Sequence, residues 1–254
     1  MDFKDKTVIV TGSSAGIGAA IAKSFAKEGA NVVITGRNET NLRRVSEECE
    51  KCGKKPLMVV ADVTKEEDLK NIIAKTIDKY KKIDVLINNA AMIKFGSILD
   101  GNIMKIHNEV MSTNLNSAIF LTTLAAPFLG ESKGNIVNIS SITGSTPGNP
   151  IGTSYSISKA GMDHFTIISA KELASIGVRV NSVSSGPVRT DILKTAGVVN
   201  DDEYWETYRV GTLLKRVSDP EEIADLVLFL ASDKAKGITG SIFFSDNGMK
   251  LASI

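Results

Sequence analysis

The sequence is poor in the residues that bind metals or form disulfides. It has two cysteines and two histidines in 254 residues. Cys49 and Cys52 are spaced as CxxC, which occurs in redox pairs and in one half of a zinc site, but no second cysteine pair completes four ligands. No metal site is therefore predicted. Two thiols in a charged helical stretch suit a reducing cytosol.

An excess of one charge and long apolar runs are also missing. Thirty Lys and Arg nearly balance 29 Asp and Glu, so the electrostatic signature of nucleic-acid binding is lacking. The best apolar run, residues 119–129, is shorter than the roughly 18 residues of a membrane helix and contains Pro127. The N-terminus lacks the apolar segment of a signal peptide. We therefore expect a cytoplasmic protein with neither nucleic-acid nor membrane partners.

What the sequence does contain is a regular alternation of apolar and amphipathic runs. Helices are predicted at 16–28, 39–52, 65–80, 103–129, 154–175 and 220–231, and strands at 6–11, 31–35, 57–61, 83–88, 135–140, 178–183 and 241–244. This alternation is typical of βαβ units, and the continuous β-branched runs indicate strands covered on both faces. The prediction is an α/β fold: one doubly wound Rossmann-type domain over 1–254, with helices on both faces of a mostly parallel seven-stranded sheet. The irregular stretch at about 190–216 is expected to be a mobile substrate loop.

A glycine-rich turn follows the first predicted strand, where residues 11–18 read TGSSAGIG. Glycines permit a tight turn and a close approach of pyrophosphate, and a helix N-terminus offers free N–H groups. Its place at the first βα junction favours phosphate binding over a plain structural turn. The predicted cofactor-binding residues of this turn are Gly12, Ser14, Gly16, Ile17 and Gly18.

The end of the second strand bears on the choice of coenzyme. An acid there would bond a ribose 2′-hydroxyl, whereas an arginine accommodates a 2′-phosphate. No carboxylate stands at Thr35 or Gly36, and Arg37 and Asn38 follow. Arg37 and Asn38 are therefore predicted to bind the coenzyme, and NADP(H) is favoured over NAD(H). The alternative is that Arg37 is a solvated charge at the start of a helix.

Tyr155 and Lys159 are spaced i, i+4 on a predicted helix and share one face. Tyrosine has a pKa of about 10 and is a poor acid at pH 7, but a nearby ammonium lowers that pKa. Ser140 and Ser141 end the fifth strand, and ligands of parallel sheets bind beyond the carboxyl ends of the strands. Together these residues predict a general acid beside a hydrogen-bond donor for a substrate oxygen.

These motifs resemble the short-chain dehydrogenase/reductase family over essentially the whole chain. They occur in the family's order, with Asn88-Asn89-Ala90 and Asn114 between the glycine turn and the serine. The resemblance implies that Ser141, rather than Ser140, polarises a carbonyl, that Tyr155 donates the proton, that Lys159 also binds the nicotinamide ribose, and that Asn114 supports a water near Lys159. It further implies cofactor contacts from Asp62, Val63, Asn89, Ala90, Tyr155, Lys159, Pro187, Val188 and Thr190.

Three positions depart from the family pattern. Ala91 stands where the family has glycine after N-N-A, Ser185 replaces a proline before Gly186, and Asn247 replaces the first glycine of D-G-G. Alanine is costly only where φ must be positive, and asparagine tolerates the left-handed conformation. The cofactor turns are therefore expected to persist.

Substrate specificity is expected from segments 92–95, 142–152 and 191–209, with Met92, Ile142, Ile151 and Trp205 as candidate substrate-binding residues. No basic cluster indicates a highly anionic substrate. We therefore expect an oxidoreductase that transfers a hydride between NADP(H) and an apolar ketone or aldehyde of lipid, terpenoid, steroid or xenobiotic type.

Alternative functions stay open. A 3-oxoacyl thioester reductase is the alternative within this class, and a non-catalytic nucleotide-sensing protein is the alternative outside it. A serine hydrolase is disfavoured because only two histidines are available as a general base. The resemblance also implies a homo-oligomer, either a tetramer or a dimer.

Overall fold

A computed structural model describes residues 2–101, 103–198 and 202–252 of the chain. Its strands form one sheet in the order β3-β2-β1-β4-β5-β6-β7, and every neighbouring pair is parallel. The strands are β1 (Thr7–Thr11), β2 (Asn31–Gly36), β3 (Leu57–Val60), β4 (Val85–Asn88), β5 (Asn135–Ser141), β6 (Arg179–Ser185) and β7 (Ile242–Ser245). The predicted doubly wound, seven-stranded Rossmann-type domain is confirmed.

Helices cover both faces of the sheet. They are α1 (Gly16–Lys27), α2 (Glu39–Cys52), α3 (Glu66–Tyr80), α4 (Ile103–Met111), α5 (Ser117–Ser132), α6 (Thr153–Leu173), α7 (Asp202–Gly211), α8 (Pro220–Ala231) and α9 (Met249–Ala252). On one face α1, α2 and α8 bury Phe25, Val45 and Val227. On the other, α3 and α5 bury Ile72 and Leu121, and α6 buries Ala170. Burial of β1 and β2 on both sides explains their nearly continuous apolar runs.

The stretch predicted at 103–129 is helical, but it is not one regular α-helix. Helix α4 ends at Met111, a π-helical turn covers Ser112–Asn116, and α5 then runs from Ser117 to Ser132. One extra residue in a turn barely changes the direction of a helix, so periodicity alone did not separate the two. Such π turns are frequent at functional sites, and this one contains Asn114.

The irregular loop predicted at 190–216 is also largely helical. A 3₁₀ helix spans Asp191–Ala196, and α7 covers Asp202–Gly211. Residues 199–201 of the predicted loop lie outside the described residues. Helix α7 buries Trp205, whose ring lies 6.1 Å from that of Tyr208 on the same helix. None of the helices in the three described ranges is long and apolar enough to cross a membrane.

Candidate active site

A cavity of about 420 Å³ opens at the carboxyl ends of the strands, where the strand order reverses between β1 and β4. This is the usual ligand site of an open parallel sheet. Asn38 lies outside the lining, because its side chain caps α2 by accepting the Asn41 N–H at 2.9 Å. The other predicted cofactor residues line the cavity: Gly12, Ser14, Gly16, Ile17, Gly18, Arg37, Asp62, Val63, Asn89, Ala90, Tyr155, Lys159, Pro187, Val188 and Thr190.

Two glycine positions of this turn leave no room for a Cβ atom. Gly12 has a φ of +64°, and a Cβ there would lie 2.7 Å from Ala90 Cα. A Cβ on Gly18 would lie 2.4 Å from the Gly12 carbonyl oxygen. Ala15 begins α1 without a side-chain capping bond, and the first turn holds no acid. The free backbone N–H groups and the positive end of the dipole at the start of α1 therefore fit the pyrophosphate of a dinucleotide.

Thr11 connects this turn to the next strand end. Its hydroxyl accepts the N–H of Asn89 at 2.9 Å and of Ala90 at 3.0 Å. The Asn89 side chain in turn donates to the Thr11 carbonyl at 2.8 Å. These bonds explain why a threonine precedes the glycines: it binds the segment after β4 to the phosphate-binding turn.

The far end of the cavity lies beyond β2 and β3. Arg37 is exposed there, and the Ser14 hydroxyl lies beside Gly36, 3.2 Å from where a Cβ would stand. Burial raises the pKa of Asp62, but hydrogen bonds from Thr64 and the charge of Arg37 outweigh it, so the Asp62 pKa is lowered. Asp62 is therefore an ionised hydrogen-bond acceptor at neutral pH.

The predicted catalytic residues meet at the opposite end. Ser141 ends β5, and its oxygen accepts the Thr143 hydroxyl at 3.2 Å. The Tyr155 side chain is hydrogen-bonded to Ser141. Lys159 is only 2% exposed; its amine donates to the Ile139 carbonyl at 2.8 Å and lies 5.6 Å from the Tyr155 ring centre. The structure thus brings Ser141, Tyr155 and Lys159 together on one wall.

Electrostatics in the protein alone differ from the prediction. Burial raises the pKa of Tyr155 to about 12 and outweighs the hydrogen bond with Ser141. Burial also lowers the pKa of Lys159 to about 8, against the charge of Asp163. The lowered tyrosine pKa expected from Lys159 is therefore not seen, because removal from water favours the neutral form of both groups.

Asn114 does not line the cavity. Its side-chain amide accepts the Met92 N–H at 2.8 Å and donates to the Met92 carbonyl at 2.9 Å and to Ser158 Oγ at 3.0 Å. Its amide hydrogens are both used, so the side chain holds the segment after β4 against α6. A water held by Asn114 would have to bind its backbone.

Two of the four predicted substrate-binding residues line the cavity and two do not. Ile142 and Trp205 line the cavity, whereas Met92 and Ile151 do not. Met92 turns its sulfur toward the Thr113 hydroxyl, and Ile151 is 40% exposed. Asn149 and Tyr208 also line the cavity and belong to the predicted specificity segments 142–152 and 191–209, whereas Met249 lies outside those segments. Met249 directly follows Asp246-Asn247-Gly248, but no sequence signal indicated that its side chain would reach the cavity.

Two further expectations can be compared with the structure. Asn247 has a φ of +51°, which agrees with its replacing a glycine in a left-handed turn. Cys49 is buried in the core with a pKa raised to about 12 by burial, whereas Cys52 is exposed. A buried thiol of high pKa is a poor nucleophile and a poor redox centre.

Known proteins resemble the chain over its whole length. The family model described as enoyl-(acyl carrier protein) reductase matches residues 12–250. The chain is 34% identical to a 3-oxoacyl-[acyl-carrier-protein] reductase of Thermotoga maritima, covering 98% of this chain and 99% of that protein. It is 33% identical to a 3beta-hydroxysteroid dehydrogenase of Mediterraneibacter gnavus, covering 97% and 95%.

Solved structures agree. A short-chain dehydrogenase/reductase of unknown function from Caenorhabditis elegans, crystallised with cofactor, superposes with a TM-score of 0.93 at 37% identity, covering 98% of this chain and 96% of that one. A short-chain type dehydrogenase/reductase from Mycobacterium marinum gives a TM-score of 0.91 at 29% identity, with the same coverage. The chain belongs to the short-chain dehydrogenase/reductase family and is an oxidoreductase that acts on CH–OH or C=O groups with a nicotinamide cofactor.

Proposed function

We propose that the chain is an NADPH-dependent reductase of an apolar ketone or aldehyde, and that it oxidises the secondary alcohol in the reverse direction. One observation carries this proposal. Ser141, Tyr155 and Lys159 share a cavity with the glycine turn that fits a pyrophosphate. The bound coenzyme supplies the hydride for the carbonyl carbon.

The side chains on the cavity wall have separate roles in this reaction. Ser141 donates a hydrogen bond to the carbonyl oxygen, and Tyr155 gives that oxygen its proton. Lys159 in its ammonium form would favour the phenolate of Tyr155, against the burial that raises the tyrosine pKa in the protein alone, and would bind the nicotinamide ribose. Asn114 is a positioning residue, since its side chain bonds the backbone of Met92.

The preference for NADPH rests on the end of β2. Arg37 and Ser14 border the cavity where the adenosine ribose would lie, and no carboxylate stands at Thr35 or Gly36. Arginine presents a planar fork of donors that matches phosphate oxygens. The two arginines of α2 already pair with carboxylates, Arg43 with Glu39 and Arg44 with Glu48 at 3.1 Å. Arg37 is therefore the proposed reader of a 2′-phosphate.

The apolar substrate class is supported by the cavity wall near Tyr155. Side chains there include Ile93, Phe95, Ile142, Leu193 and Trp205. The second candidate is a 3-oxoacyl thioester, which is favoured by the printed names of curated relatives from Thermotoga maritima and Chlamydia trachomatis. A thioester would place its β-keto group at Ser141 and Tyr155 in the same way.

A homo-oligomer, a tetramer or a dimer, is part of the proposal, as is a cytoplasmic location. Apolar side chains are exposed on the elements expected to form subunit contacts: Ile119 on α5, Ile167 and Ile168 on α6, and Phe244 on β7. Light scattering coupled to gel filtration measures the state directly. A monomer at micromolar concentration would contradict this part of the proposal.

The test of function is NADPH and NADH oxidation by the purified protein with a panel of carbonyls. The panel includes small diketones, quinones, terpenoid aldehydes, steroid ketones and a 3-oxoacyl thioester. Turnover of apolar ketones with NADPH well above NADH supports the proposal. Fastest turnover of the thioester would shift it to the second candidate. Coenzyme binding without turnover in either direction would favour a nucleotide-sensing protein.

A further inference from the structure

A carboxylate is buried beside the catalytic group without a part in the chemistry above. Asp163 lies on α6, one helical turn beyond Lys159 and two beyond Tyr155, so the three residues share a face. It is only 7% exposed. Burial of an ionised carboxylate is costly unless other groups compensate for it.

The surroundings of Asp163 hold it in place from two strands. Ser182 on β6 donates its hydroxyl to Asp163 Oδ1 at 3.2 Å. The hydroxyl of Ser140 on β5 interacts with the same carboxylate and also lies 3.2 Å from the Lys159 carbonyl oxygen. Burial raises the pKa of the Asp163 carboxyl, and the hydrogen bonds of Ser140 and Ser182 and the charges of Lys159 on its own helix and Lys250 on α9 oppose that rise.

Lys159 needs a negative charge nearby. Its amine contacts the neutral carbonyl of Ile139 and is removed from water, which favours the uncharged amine. Asp163 is the charged group that opposes this effect. An uncharged Lys159 would do nothing to acidify Tyr155.

We propose that Asp163 is a positioning residue for the reaction: its buried carboxylate, one helical turn from Lys159, keeps the lysine protonated so that Tyr155 can act as the acid. This inference rests on the proposed roles of Lys159 and Tyr155. It adds a residue that neither strand-end geometry nor the Tyr-x-x-x-Lys motif indicates.

The experiment compares Asp163→Asn with Ser182→Ala. The first removes the charge and keeps the shape and an acceptor for Ser182. The second removes the hydrogen bond and keeps the charge. An opposite charge at this range shifts a pKa by about one unit or more. If Lys159 is half protonated near pH 8, a fall of one unit in its pKa reduces the protonated fraction about fivefold at pH 8. At pH 6 the same fall reduces the protonated fraction by only about a tenth.

The expected result is a loss that grows with pH. Asp163→Asn should retain most of its kcat/KM at pH 6 and lose about fivefold at pH 8, whereas Ser182→Ala keeps the wild-type basic limb. Asp163→Glu, which restores the charge, should return the basic limb toward wild type. An Asp163→Asn profile parallel to the wild-type profile would overturn the proposal, because a merely structural defect lowers activity at all pH values.

A measurement without turnover separates this inference from the proposed function. The Lys159 side chain is followed by ¹³C NMR of lysine-labelled protein, with Lys159→Met used to assign the signal. Its titration midpoint should fall by about one unit in Asp163→Asn. In the wild-type chain the same signal should also move in acid, as Asp163 takes up its proton, so the test survives if Asp163→Asn fails to fold. An unchanged midpoint, or no acid response, would refute the role of Asp163 even if the protein reduces no carbonyl tested.

Discussion

The assignment of Tyr155 as the acid is tested most directly by Tyr155→Phe. The change removes one oxygen and keeps the ring that packs 5.6 Å from the Lys159 amine. A positioned general acid contributes about 10²- to 10⁴-fold to a rate, and Tyr155 is the proton donor assigned in this cavity. We therefore expect kcat to fall by about 10³-fold.

Stability and coenzyme binding should change little. The lost hydrogen bond links Tyr155 to Ser141, and Ser141 keeps its bond with the Thr143 hydroxyl. One neutral hydrogen bond contributes about 1 kcal/mol net, so the free energy of unfolding should fall by no more than that. The phosphate-binding turn is untouched, which predicts a nearly unchanged Kd for NADPH.

The assay follows NADPH oxidation at saturating ketone, with coenzyme Kd measured by fluorescence and unfolding by urea. Tyr208→Phe is the matched control, because Tyr208 lines the same cavity and packs against Trp205, with ring centres 6.1 Å apart. The control should keep most of its turnover. A Tyr155→Phe enzyme within about tenfold of wild type, or an equal loss in Tyr208→Phe, would refute the reasoning.

Three other outcomes follow from the same geometry. Arg37→Ala should raise the KM for NADPH by about 10- to 100-fold and leave that for NADH nearly unchanged, as measured in steady state; equal changes would remove Arg37 as a phosphate reader. Gly18→Ala should weaken binding of both coenzymes by at least about tenfold, since its Cβ would lie 2.4 Å from the Gly12 oxygen; Gly237→Ala, which meets nothing within 4 Å, is the control in the same titration. Lys159→Met should abolish turnover without destabilising the fold. The pKa of Lys159 is lowered from 10.5 to about 8, so the buried ammonium costs the folded wild-type chain about 3 kcal/mol at pH 7. This cost declines as the pH rises from about 8 to 10.5. In the variant the Ile139 carbonyl loses its hydrogen bond, which costs about 1 to 3 kcal/mol. Urea unfolding at pH 7 showing a loss above about 3 kcal/mol would contradict that account.

The sheet was predictable because each strand has a recognisable pattern in its own residues. A continuous β-branched run such as residues 31–35 has few alternatives when helices of regular length separate it from the next run. The interrupted helix was not predictable in the same way. The π turn at Ser112–Asn116 contains Asn114, whose side chain bonds the backbone of Met92, a partner 22 residues away that no local pattern contains.

The cofactor end of the site was predictable for a similar reason. Gly12 and Gly18 act through their own backbone, so residue type and spacing carry their function. The substrate end depends instead on which way a side chain points after the chain has packed. Ile142 and Ile151 are equally apolar in sequence, yet only Ile142 turns into the cavity. Tyr208 and Met249 enter it from elements whose position is set by tertiary contacts alone.

Lys159 anchors the start of α6, which carries Tyr155, against the end of β5, which carries Ser141. The lysine amine bonds the Ile139 carbonyl on β5, and the Ser140 hydroxyl lies 3.2 Å from the lysine carbonyl. Gly144 completes the contact, because a Cβ there would lie 2.8 Å from the Lys159 carbonyl carbon. Helix α6 is thus held against the end of β5 at Lys159, and farther along by Asn138, whose side chain donates to the Thr166 hydroxyl at 2.9 Å. Tyr155 projects toward Ser141 from one turn before Lys159. Lys159 therefore has two separable functions, in that its backbone sets the position of the acid while its side-chain charge sets the strength of that acid.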